Sequence, residues 1–65
     1  MRLIDRFPEG SHVEIQFAAD THQRWLAGTI VAHAHPGVWV KLTQGGRYFV
    51  TNGRRIRPRD FEHEP

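Results

Sequence analysis

Turn-forming residues interrupt this sequence so often that no long element fits between them. Pro8-Glu9-Gly10, Pro36-Gly37, Gly45-Gly46 and Asn52-Gly53 carry the residue types that tight turns demand. Proline presets one backbone angle, and glycine or asparagine accepts the positive φ of a hairpin corner. The runs between these corners have the length and composition of strands. Val13-Glu14-Ile15-Gln16-Phe17 alternates apolar with polar, which puts Val13, Ile15 and Phe17 on an inner face. Trp25 to Ala32 is a second strand, with Leu26, Ile30 and Val31 as core candidates. Gly28 in its middle predicts a bend, a bulge or the close approach of another backbone. In the third, Val38 to Leu42, alternation places Val38, Val40 and Leu42 inside and Trp39 and Lys41 outside. The fourth runs from Arg47 to Thr51, with Tyr48 and Val50 on one face and Phe49 on the other. Ile56, alone in a basic segment, is expected to point inward from a short last strand or 3₁₀ turn, and Pro58 limits further pairing. Ala18 to Gln23 is too short and polar for a stable helix and reads as a loop.

Five short strands with tight turns and no helical stripe predict an all-β chain, a five-stranded small barrel of the SH3-like kind. At 65 residues it is one domain. Residues 1–10 form a lead-in whose Leu3, Ile4 and Phe7 either cover an open end of the barrel or stay mobile. Residues 11–59 form the barrel, and residues 60–65 are expected to be a flexible C-terminal tail. The absence of cysteine excludes disulfides, thiolate zinc sites and a thiol nucleophile. The N-terminal apolar run ends at Ile4, too early for a signal peptide, and no stretch reaches membrane-spanning length. The expectation is a cytoplasmic chain with no membrane partner.

Charge is unevenly placed. Asp5, Glu9, Glu14 and Asp20 precede Thr21, and Asp60, Glu62 and Glu64 follow Arg59. Between them every formal charge is positive: Arg24, Lys41, Arg47, Arg54, Arg55, Arg57 and Arg59. Arginine offers planar, multidonor contacts to phosphate, and exposed rings beside it stack on bases. Lys41, Arg47, Arg54, Arg55, Arg57 and Arg59 are therefore the candidate nucleic-acid contacts, flanked by Trp25, Trp39, Tyr48 and Phe49 as interface aromatics. DNA or RNA is the expected partner. The alternative is an acidic protein surface, with the chain acting as a self-assembling adaptor. A small domain with exposed sheet edges also suits a homo-oligomer.

Catalysis has no visible apparatus. Ser11, the only serine, precedes His12, and strand neighbours point apart. The carboxylates show no pairing, and Gly45-Gly46 is a hairpin corner, not a phosphate loop. His33 and His35 share an i,i+2 spacing that reads as an exposed turn. No enzyme activity, cofactor or metal is expected.

The order Val13-x-Ile15, Trp25-x-x-Gly28-Thr29-Ile30-Val31, Val38-x-Val40, Tyr48-x-Val50 and Ile56-Arg57-Pro58 resembles the Tudor/Agenet branch of the SH3-like barrels. There a tryptophan opens the second strand and the last strand closes with a hydrophobic-Arg-Pro step. The resemblance spans Gly10 to Arg59. It implies either nucleic-acid binding or an aromatic cage for methylated lysine or arginine. Phe17, Trp25, Trp39, Tyr48 and Phe49 are the candidate cage rings. A cage often adds a carboxylate, and none stands between Asp20 and Asp60. Trp25 to Val31 is also similar to the second strand of the plasmid-borne dihydrofolate reductases, barrels that form tetramers around a pore. Their pore segment reads Val-Gln-Ile-Tyr, whereas this chain has Arg47-Tyr48-Phe49-Val50. That resemblance implies a style of assembly and not the enzyme.

Overall fold

A computed structural model describes residues 2–59. A short helix, α1 (Leu3–Arg6), precedes β1 (His12–Ile15), β2 (Leu26–Ala34), β3 (Gly37–Leu42) and β4 (Arg47–Val50). A 3₁₀ turn (Gly53–Arg55) then leads into β5 (Ile56–Pro58). All strands belong to one antiparallel sheet in the order β4-β3-β2-β1-β5. The all-β expectation is borne out at this level. Closure into a barrel is not observed, because β4 and β5 share no ladder among the described residues. The expected 60–65 tail lies outside them.

Alternation sorts the two faces as read from the sequence. Val13, Ile15, Val38, Val40, Leu42 and Ile56 are buried on the inner face. Burial of each such side chain contributes about 1.5–3 kcal/mol. The lead-in completes this core, because Leu3 and Phe7 are buried with it. The chain then runs on beside β2, where Gly10 N–H donates to Ile30 O at 2.8 Å and Ile30 N–H to Ser11 O at 3.0 Å. His33 Nε2 lies 2.7 Å from the Phe7 carbonyl, so this ring ties the N-terminal segment to the end of β2.

Three local expectations need correction. β2 continues to Ala34, which shortens the expected His33–Gly37 turn to His35-Pro36. Of the alternatives open at Gly28 the close approach is the one realised, while the register shift falls between Ile30 and Ala32 and places the bulge at Val31. A Cβ at Gly28 would lie 2.6 Å from Val40 Cγ1 and 2.9 Å from the Lys41 carbonyl oxygen. Val31, the strand neighbour of inward Ile30, faces outward and leaves the core at 38% exposure, and the extra residue of the bulge then puts Ala32 on the outer side as well, opposite Trp39. Phe17 lies beyond the end of β1, half-buried, packed against the core from its rim.

Candidate nucleic-acid interface

Strand register assigns the outer face row by row. Trp39 stands opposite Phe49 and, across the bulge, opposite Ala32. The Trp39 and Phe49 rings are 5.1 Å apart between centroids and inclined at 44°. A base sandwiched between two rings needs more separation than that, so together they form one platform. They are 39% and 41% exposed, an unusual amount of aromatic surface to leave in water. Val31, Ala32, Trp39 and Arg47 line a hollow of about 490 Å³ beside this platform.

The next row holds cations. Lys41 stands opposite Arg47, Thr29 opposite Lys41, and His12 opposite Thr29, with Arg59 N–H donating to His12 O at 2.9 Å. The row is two residues from the platform, roughly 6.6 Å along the strands. The Leu42 N–H to Gly46 O bond of 2.9 Å fixes the hydrogen-bond phase of the β3–β4 ladder. Alternation then makes Lys41–Arg47 and Trp39–Phe49 the close, non-hydrogen-bonded rows. Like charges directly opposite on such a row repel. Neither Lys41 nor Arg47 has an ion pair among the described residues.

The six candidate cations do not act as one group. Arg57 is committed locally: its Nε lies 2.7 Å from Glu14 Oε1 and its Cζ sits 3.9 Å above the Trp25 ring. Trp25 is thereby a half-buried support for Arg57 and not an open ring. Arg54 is exposed on the 3₁₀ turn, where its N–H donates to Asn52 Oδ1 at 2.9 Å. Arg55 lines a second cleft, and Tyr48 turns toward that same cleft, 4.7 Å from Phe17 between ring centroids. Only Lys41 and Arg47 adjoin the exposed aromatic pair Trp39 and Phe49. The sequence reading missed Thr29 and Ala32 as neighbours of the platform, and Glu14 as the group that neutralises Arg57. Strand pairing alone supplies those proximities.

Asp20 organises the loop before β2. Its carboxylate accepts from His22 N–H at 3.0 Å, Arg24 N–H at 3.2 Å and Arg24 Nε at 3.1 Å. The His22 N–H first, and then the Arg24 side chain, hold the Asp20 carboxyl below the usual carboxylate range. A group whose folded pKa is depressed contributes stability above its unfolded pKa and loses it as pH falls. The order of residues 20–24 should therefore be complete above the ordinary aspartate value of about 3.9 and be lost progressively as pH falls through the lower folded value. An NMR acid titration checks this; Asp20→Asn should remove the transition, and a transition at higher pH would count against the assignment.

No protein-family model, curated protein or solved structure matches this chain. Among the described residues no helix is long and apolar enough to cross a membrane.

Proposed function

We propose that the chain is a cytoplasmic, non-catalytic binding module that holds single-stranded nucleic acid against the outer face of its sheet. The observation that carries this reading is the Lys41–Arg47 row: two opposed cations with no ion pair among the described residues, one row from an exposed Trp39–Phe49 platform. Successive phosphates of a strand, one held by each cation, relieve their repulsion, while bases stack on the rings. The fold reading that accompanies it is a Tudor-like member of the SH3-like barrels. In its favour are β5 beside β1, the 3₁₀ turn between β4 and β5, and the bulge at Val31 that curls the sheet.

Titration of the chain with oligothymidylate at several salt concentrations tests the reading. Two phosphate contacts on a single strand give a slope of about −1.4 for log affinity against log salt, and Lys41→Ala should bring it to about −0.7. Absence of binding at low salt, or a slope that Lys41→Ala leaves unchanged, would reject it.

A further inference from the structure

The free edge of β4 differs from that of β5. On β5, Gln16 N–H donates to Arg55 O and Arg59 N–H to His12 O, each at 2.9 Å. That phase points the backbone groups of Ile56 and Pro58 away from β1, toward the free edge. Proline has no N–H to offer, so this short edge is protected against another strand. On β4 the Leu42–Gly46 bond sets a phase in which Arg47, Phe49 and Thr51 turn their amide groups away from β3. No other backbone hydrogen bond among the described residues reaches them. β4 contains no proline and no bulge.

Along this open edge lies a cleft of about 360 Å³, walled by consecutive residues of β4 on one side and by Ile15 to Ala18 on the other. Its lining is largely apolar, with Phe17 and Tyr48 among its rings and Arg55 as its one cation. Arg55 has no ion pair among the described residues. We infer that the β4 edge is a second binding site, which takes an extended acidic peptide as an added strand. The peptide's backbone pairs with Phe49 and its neighbours, alternate apolar side chains enter the cleft, and a carboxylate meets Arg55. Charge decides against a second copy of β4 as the occupant. Pairing two such strands brings Arg47, Arg54 and Arg55 of both copies together, with no carboxylate between Asp20 and Asp60 to offset them. This inference does not require the nucleic-acid reading: the two sites share Phe49, but Trp39 and Lys41 lie outside the cleft.

The test uses the full ¹⁵N-labelled chain and a library of synthetic peptides of about seven residues, a common strand length, alternating glutamate with valine, isoleucine or phenylalanine. The tightest binder should shift the amides of Arg47, Phe49 and Thr51 and protect that of Phe49 from exchange. Arg55→Gln should weaken it at least about tenfold, as expected when one partner of a hydrogen-bonded charge pair is truncated. The same peptide with lysine for glutamate should not bind, nor should a version N-methylated along its pairing edge. The inference would be overturned by no binder in the library, equal binding of the lysine or N-methylated version, shifts confined to Val31, Ala32 and Trp39, or a peptide-free dimer with Phe49 already protected. Oligothymidylate competing with the peptide through Arg55 would also overturn it, by showing a general anion site.

Discussion

Ile30→Ala is expected to remove a large share of the chain's folding stability. Ile30 is 1% exposed and stands in β2, near the middle of the sheet, opposite Val40. Truncating a buried isoleucine to alanine costs about 2–5 kcal/mol, from lost transfer energy and the cavity left behind. A chain of 65 residues is stable by roughly 3–10 kcal/mol in total. The loss is thus a large part of what holds the sheet together, with no disulfide to limit the unfolded state. Val31→Ala, one residue on, is the sharpest control. Val31 faces outward and is 38% exposed, so its truncation should change stability by well under about 1 kcal/mol. Urea unfolding of the two variants measures both effects. Equal losses would mean that Val31 is packed into the core and does not face outward.

Trp39→Ala is expected to lower affinity for single-stranded nucleic acid by about 5- to 150-fold, the equivalent of one stacked base at roughly 1–3 kcal/mol. The exposed ring leaves folding largely intact, because its removal opens no cavity in the inner core. Trp25→Phe serves as the comparison. Arg57 covers that ring, which is therefore a support for a local charge pair and not a surface for bases. Fluorescence anisotropy with labelled oligothymidylate compares the variants. Should Trp25→Phe impair binding as much as Trp39→Ala, the platform has been placed at the wrong end of the outer face.

How far the sequence reaches depends on what each feature requires. Inward and outward positions on β1 and β3 follow from period-two alternation, and Val13, Ile15, Val38, Val40 and Leu42 are buried as that pattern demands. Ile56 was identifiable because a lone apolar residue among arginines has little other reason to be there. Alternation on β2 holds through Val31 and fails after it, because a bulge changes its phase there and puts Ala32 on the outer face, while a glycine three residues earlier drew the expected irregularity to itself. The role of the lead-in was only half visible. Leu3 and Phe7 are spaced one helical turn apart, but four helical residues are too few to show a stripe. The candidate site was legible as composition and not as arrangement. Lys41, Arg47, Trp39 and Phe49 meet because a hairpin at Gly45-Gly46 folds β4 onto β3 in one register. Arg57 and Arg59 belong to the same basic run, yet the sheet order carries them to its other edge. There Glu14, forty-three residues away along the chain, meets Arg57.

The central claim concerns a place on the molecule, so the most direct measurement is a residue-by-residue footprint. The full chain, ¹⁵N-labelled, is titrated with oligothymidylate and the amide shifts are followed. The account predicts that the largest changes fall on Thr29, Ala32, Trp39, Lys41, Arg47 and Phe49, with the Trp39 indole N–H among them and the Trp25 indole N–H unmoved. Changes concentrated instead on Arg54, Arg55 and the residues around Phe17, or spread evenly over every arginine, would contradict it.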